Sequence, residues 1–205
     1  MKSQIETLRS QNVTLARTQG PQVLRAKQLK ALLAAPDKRT RRGRRDAALL
    51  AVLGCGGLRL GECVRLTVEG IELGKRVRIT TKTAKSRTAR SRTITLPGPA
   101  ARLLRDYLAH SEPRFWVFQG RRNEALSTRQ AGRLVRYYLA KIGRSDLRPH
   151  SLRHSVGAIV TRQSGIWVAQ KVLGHASPTT TSRFYSAFDV TDADIAADKL
   201  EEVLR

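Results

Sequence analysis

Between residues 68 and 97 the hydrophobic pattern changes period, and that change limits the folds open to this chain. "VEGIEL", "KRVRITT" and "SRTITLP" are short runs rich in Val, Ile and Thr. Gly74-Lys75 and a long basic connection separate them, as expected of strands joined by hairpins. On either side the apolar residues return at helical spacing. Upstream lie "VLRAKQLKALLAA", then "RDAALLAVLG", expected to end at Gly54, and a further helix beginning in "LRLGECVRL". Downstream come "GPAARLLRDYLAH", "STRQAGRLVRYYLAKIG", a segment starting near His150, "IWVAQKVLG", and an acidic helix after Thr191. The reading is an α+β domain, mainly helical, with a small three-stranded antiparallel sheet. No internal repeat or low-complexity linker interrupts it.

Charge narrows the partners. The 205 residues hold 39 Lys and Arg against 16 Asp and Glu, a formal charge of +23. So basic a chain repels itself unless a polyanion is its normal partner, which makes nucleic acid the default. A ribosomal-type or membrane-surface protein would share this property, so charge alone says nothing of chemistry. Six of eight residues in "KRTRRGRR" are basic, and ten Lys or Arg but no acid fall between Leu73 and Arg105. Lys38, Arg39, Arg41, Arg42, Arg44 and Arg45 of the first stretch, read as a loop, and Lys85 and Arg87 of the second are candidate contacts to a DNA backbone. Six of the acids crowd the last seventeen residues, so that segment is expected to face away from the polyanion. No run of 18 apolar residues and no signal-peptide core occurs, which predicts a cytoplasmic protein without membrane contact. Cys55 and Cys63 are too few and ill-spaced for a disulfide framework or zinc site and read as packing residues.

"RPHSLRHS", residues 148 to 155, carries the chemistry. His150 and His154 are four apart and share a helix face, as two zinc ligands would. The intervening "SLR" lacks a glutamate and supplies the cation Arg153, which opposes metal binding, so no metal is expected. His150 and Arg153 also share a face and can together hydrogen-bond two oxygens of one phosphate. Far upstream, "GCGGLRLGE" puts Arg59 at the start of a helix, where free N–H groups and the dipole favour an anion. Its glycines lack a following Gly-Lys-Ser/Thr and are better explained as a helix break than as a nucleotide loop. Further on, "VLGHASPTTTSRFYSAF" adds His175 and Tyr185. Tyr137 and Tyr138, in an amphipathic helix, read as packing residues.

The order "GLRLGE", a hairpin lysine, "HSLRH", "LGH" and a C-terminal tyrosine closely resembles the tyrosine recombinase family, the phage integrases and Xer-type enzymes. The resemblance covers roughly residues 22 to 188. It implies a catalytic set of Arg59, a hairpin lysine, His150, Arg153, His175 and Tyr185. Lys82 fits the lysine position best, with Lys85 close behind because the hairpin is long. Tyr185 would attack a DNA phosphate to form a 3′-phosphotyrosyl link, keeping the bond energy for rejoining, so neither ATP nor another cofactor is expected. Arg59, Arg153 and His175 would stabilise the charge that develops on the nonbridging oxygens. His150 would take the tyrosine proton and the lysine would protonate the leaving oxygen. Glu62 is expected to hold Arg59 in place, and His154 to support the site. Residues 1–21 form a tail where family members carry a core-binding domain, so reduced DNA affinity and selectivity are expected. Residues 189–205 form an acidic helix, expected to be exchanged between protomers of a DNA-bound homo-oligomer or else docked on its own domain. The competing readings are a DNA-binding protein of the same fold that only occupies or regulates sites, and a relaxing activity like that of type IB topoisomerases.

Overall fold

The structure, a computed structural model, describes residues 23–82, 91–120, 123–173, 197–198 and 200–204. In chain order these form α1 (Ala26–Ala34), α2 (Arg41–Gly56), α3 (Leu60–Val64), a 3₁₀ turn (Val68–Gly70), β1 (Ile71–Leu73), β2 (Val77–Lys82), β3 (Ser91–Leu96), α4 (Gly98–Ser111), α5 (Thr128–Lys141) and α6 (Pro149–Leu173). A helix that is apolar on every side must lie inside a protein. That helix is α2, buried without interruption from Asp46 to Gly56. Helices α1, α4 and α6 and strand β3 pack around it.

The sheet has the order β1-β2-β3, antiparallel throughout. Cross-strand partners Val77–Leu96 and Ile79–Ile94 are buried and make its inner face. The expected α+β architecture and three-stranded sheet are therefore present. The "VEGIEL" run is only half strand, because Val68–Gly70 winds into the 3₁₀ turn before Ile71.

Two helix boundaries differ from the sequence reading. "KRTRRGRR" is not wholly a loop: α2 already begins at Arg41, because the Thr40 hydroxyl accepts the Gly43 backbone N–H at 2.9 Å and caps it. Nor does Gly54 end α2. It sits against α1, where an added Cβ would lie 2.8 Å from Leu29 Cδ1, so its lack of a side chain serves close packing. The stop is Gly57, whose φ of 64° is the left-handed conformation that glycine adopts freely. Helix α6 breaks at Gly165, φ 85° and ψ 164°, which separates the segment starting near His150 from "IWVAQKVLG" as the sequence suggests.

Residues 197–198 and 200–204 are helical and lie on the chain's own domain. Leu200 packs with Val156, Val160, Ala169, Val172 and Leu173, and Leu204 joins the main core. Asp198 pairs with Arg76 of the β1–β2 turn at 2.7 Å, and Glu201 accepts the Gly98 backbone N–H at 2.9 Å. A carboxylate at the N-terminus of α4 also suits its dipole. Cys55 and Cys63 are buried free thiols. Burial pushes Cys55 up to about 12 and Cys63 up as well, so both are inert packing groups. Among the described residues no helix is long and apolar enough to cross a membrane.

Gly57 closes α2 and leads directly to Arg59, so its conformation can be tested by substitution. Gly57→Ala would hold an L side chain at positive φ with its Cβ 2.8 Å from Leu173 Cδ2. The expected loss is about 1–3 kcal/mol, seen as a melting temperature lower by several degrees. An unchanged melting temperature would refute this account of the turn.

Candidate active site

The left-handed turn at Gly57 sends the chain into α3 with Arg59 at its N-cap. Three residues on, Glu62 folds back on that start. Its Oε2 accepts the Arg59 backbone N–H at 2.9 Å and its Oε1 accepts the Arg59 guanidinium at 2.9 Å. One carboxylate thus caps the helix and fixes the arginine's rotamer. Arg59 is 46% exposed and Glu62 only 7% exposed. Burial pushes the Glu62 carboxyl up, but the Arg59 backbone N–H, Arg92 and the Arg59 guanidinium outweigh it and hold it below its ordinary value.

Arg153 reaches the same place from α6. It is 2% exposed. Its guanidinium donates to the Gly57 carbonyl at 2.6 Å and to the carbonyl of Leu173 at the end of its own helix. The break at Gly165 is what lets the end of α6 return to its beginning. Burial, then the nearby Arg92 and Arg59, push Arg153 down to about 10, which leaves it charged at neutral pH. His150 and His154 are exposed on α6 with rings edge to face, centroids 4.4 Å apart. His150 is held below its ordinary value by partial burial and then by His154, Arg153 and Arg59. A neutral imidazole that feels both arginines is equipped to accept a proton beside a bound anion.

The structure therefore brings Arg59, Glu62, His150, Arg153 and His154 together from segments about ninety residues apart in sequence. Lys82 is the last residue of β2, paired with Ser91. Lys85, Arg87, His175 and Tyr185 lie outside the described residues. Among the described residues, no three or more His, Cys, Asp or Glu side chains gather as a metal would require.

The first basic stretch divides in two. Lys38, Arg39, Arg41 and Arg42 are exposed at the N-terminus of α2, with Arg39 on Asp37 at 2.9 Å. Arg44 and Arg45 are tied into the fold by Asp106 at 3.3 Å and Asp46 at 2.8 Å. Tyr138 is buried and its hydroxyl donates to Asp46 at 3.2 Å. Tyr137 is 55% exposed, so the packing role expected of both tyrosines holds for Tyr138 alone.

Three features escaped the sequence reading. Arg92 on β3 donates to Glu62 Oε2 at 3.0 Å and to the Val172 carbonyl at 2.7 Å. The inward/outward alternation of β3 was the signal, since Arg92 follows the same face as Ile94 and Leu96. Ser155 accepts the Leu24 backbone N–H at 2.8 Å and donates to the Ser151 carbonyl at 2.7 Å, tying the start of the domain to the helix of His150. Finally, α5 exposes Arg129, Arg133 and Arg136 at helical spacing. They flank Gly132, which abuts Leu60 beside Arg59.

The chain is similar to known proteins over most of its length. The tyrosine recombinase XerC of Pelotomaculum thermopropionicum is 28% identical over 199 residues, covering 90% of this chain and 61% of that protein. The XerD of Xanthomonas axonopodis pv. citri is 32% identical over 178 residues, covering 78% and 57%. This chain thus spans about three-fifths of the length of the curated relatives it matches. Among solved structures, XerA recombinase superposes with a TM-score of 0.67 at 22% identity, covering 90% of this chain and 63% of that one. XerH bound to palindromic difH, a post-cleavage complex, gives 0.65 at 21% identity, covering 77% and 47%. These two likenesses show a shared fold. The family model of the phage integrases matches residues 22–190, and with most of its length so matched the chain belongs to the phage integrase family.

Proposed function

We propose that this chain is the catalytic domain of a site-specific recombinase that cleaves and rejoins double-stranded DNA through a 3′-phosphotyrosyl intermediate. The observation that carries the reading is the convergence, in a member of this family, of "GLRLGE" and "HSLRH" on one cationic cluster of Arg59, Glu62, His150 and Arg153. A binding-only protein needs cations, but it has no use for a neutral histidine beside two arginines.

In this reading Tyr185 attacks the scissile phosphorus, and the bond to the 5′-oxygen breaks. His150 takes the tyrosine proton and Lys82 returns one to the departing oxygen. Charge on the nonbridging oxygens is met by Arg59, with His175 adding a neutral donor, and by the field of Arg153, whose guanidinium is fixed behind Arg59 on the Gly57 and Leu173 carbonyls. The 5′-hydroxyl of a partner strand then reverses the step, so no cofactor is consumed. Lys38, Arg39, Arg41 and Arg42, the α5 arginines, and Lys85 and Arg87 of the hairpin supply phosphate contacts along the duplex. The DNA complexes of XerH and of a lambda integrase dimer support duplex DNA as ligand and assembly on it. In such an assembly the C-terminal helix would be given to a neighbour, in the seat between α6 and the sheet that it fills here on its own domain. The work belongs in the cytoplasm.

A nicked suicide duplex, which loses its 5′-hydroxyl after cleavage, tests the reading. Wild type should give an SDS-resistant protein–DNA adduct and Tyr185→Phe none, while Tyr137→Phe and Tyr138→Phe keep it. An adduct from Tyr185→Phe would remove that residue as nucleophile.

The base makes a pH prediction. Because His150 acts when neutral and its pKa is lowered, cleavage should persist below pH 6.5 and fail only as pH drops through the lowered value. Removing the neighbouring ring in His154→Gln should move that acid limb upward. An NMR titration of the His150 ring reads the same midpoint; no movement in His154→Gln would contradict the assigned cause.

The two hairpin lysines separate by leaving-group chemistry. A 5′-thiolate, with a conjugate-acid pKa of about 8.5, departs without a proton. Lys82→Ala should therefore be crippled on ordinary DNA and largely rescued when the bridging 5′-oxygen is sulfur, whereas Arg153→Ala stays impaired on both. Rescue of Lys85→Ala instead would transfer the role by three positions.

A further inference from the structure

Strand β3 sets its inner face with Leu96 and Ile94, 3% and 2% exposed, and the next residue in that row is Arg92. A cation at the end of a core row is costly unless every donor it commits has a good acceptor. The Arg92 side chain is 13% exposed. Its two terminal nitrogens are committed to different elements, one to Glu62 Oε2 at 3.0 Å and one to the Val172 carbonyl at 2.7 Å.

Each of these acceptors belongs to the site. Glu62 is the carboxylate that fixes Arg59, and Arg92 is the donor that comes to it from outside α3. Val172 is next to Leu173, whose carbonyl accepts from Arg153. The last turn of a helix leaves carbonyls without intrahelical partners at the negative end of its dipole. Here two successive ones, Val172 and Leu173, are taken by two arginines of the same cluster. His175 follows two residues later in the sequence. A planar fork can span a carboxylate and a carbonyl at once; a lysine ammonium on its flexible stem cannot do so with the same geometry.

We propose that Arg92 is a positioning residue of this site, which locks Glu62 against Arg59 and in the same gesture anchors the end of α6 from which the chain continues to His175 and Tyr185. Its donors are engaged by protein, so it acts through Arg59 and the α6 terminus and does not touch the phosphate. It also adds a third guanidinium to Arg59 and Arg153 around one carboxylate. That excess of positive charge favours an anion beside the exposed Arg59.

The proposal rests on the recombinase reading for its kinetic consequence, and its structural consequence can be read without any cleavage. In the full chain, the variants Arg92→Gln and Arg92→Lys are compared with Glu62→Gln and with the double variant Arg92→Gln/Glu62→Gln, after circular dichroism has shown which of them fold. The first readout is NMR of the Arg59 guanidinium, whose rotation is restricted while Glu62 grips it. Arg92→Gln should release that restriction, and Arg92→Lys should restore part of it. An Arg59 signal unchanged in a folded Arg92→Gln overturns the proposal, whatever the chain does to DNA. The second readout is single-turnover cleavage of the suicide duplex at saturating DNA. Arg92→Gln should slow it on the order of 10- to 100-fold, with DNA affinity nearly unchanged and partial recovery in Arg92→Lys. Because part of the effect passes through Glu62, the double variant should be slower than Glu62→Gln by less than the single substitution predicts, the remainder being the α6 anchor, whereas independent sites would multiply. Multiplicative losses overturn the coupling. Wild type that makes no adduct while Arg59 still loosens in Arg92→Gln would count against the recombinase reading and leave the positioning role standing.

Discussion

The fold and the site share one interaction, the buried guanidinium of Arg153 between the carbonyls of Gly57 and Leu173. A lone charge at this depth would cost several kcal/mol. It is tolerated because its acceptors lie where two helices end: Gly57 just past α2, Leu173 at the last turn of α6. Both termini carry partial negative charge. The cation is thereby stabilised by the two elements whose ends it holds, and it stays ionised at neutral pH even though burial, Arg92 and Arg59 push it down to about 10. Remove the charge and two helix ends lose their donor; remove either helix end and the charge is stranded.

From that anchor the remaining geometry follows in order. Gly57 adopts a positive φ because the chain must turn at once from the end of α2 into Arg59. Glu62 then folds back over Arg59, and Arg92 enters from the sheet to complete the carboxylate's partners. The break at Gly165 returns the end of α6 to Arg153, so His150, one turn ahead of Arg153, stands beside the same cluster. Arg153 is buried and Arg59 about half exposed, so an anion that approached would meet Arg59 first, with the other charge fixed behind it.

Much of this was legible in the sequence because it is written in local periods and short spacings. The three strands were visible as Val-, Ile- and Thr-rich runs, α5 as an amphipathic repeat, and the Arg59–Glu62 pair as residues one helical turn apart. What escaped depended on tertiary neighbours. Gly54 and Gly57 look alike in sequence, and only the presence of Leu29 against one and the left-handed turn at the other assign their roles. Tyr137 and Tyr138 are adjacent, and only Asp46 on the buried α2 decides which of them goes inside. Arg92 stood in a long acid-free basic run, where alternation with Ile94 and Leu96 marks its face but not its partners. Its meaning required the register that sets it opposite Thr81 on the core side of the sheet.

The same distinction changes how the formal charge of +23 should be understood. Part of that charge is internal to the architecture. Arg44 and Arg45 are neutralised by Asp106 and Asp46, Arg92 and Arg59 share Glu62, and Arg144 grips both Asp146 and the Val23 carbonyl where the domain begins. These arginines serve as long, multidentate connectors between elements, a use for which the guanidinium is better suited than an ammonium. Four carboxylates, Asp46, Glu62, Asp106 and Asp146, are spent on them, and two near the C-terminus, Asp198 and Glu201, are spent on Arg76 and on the Gly98 backbone N–H. At the start of α2 Lys38, Arg41 and Arg42 stay exposed, with Arg39 held on Asp37, and Arg129, Arg133 and Arg136 are exposed along α5. Acids placed against connecting arginines let a mostly helical fold keep its frame intact while exposed cations remain on its surface, a distribution that suits a polyanion.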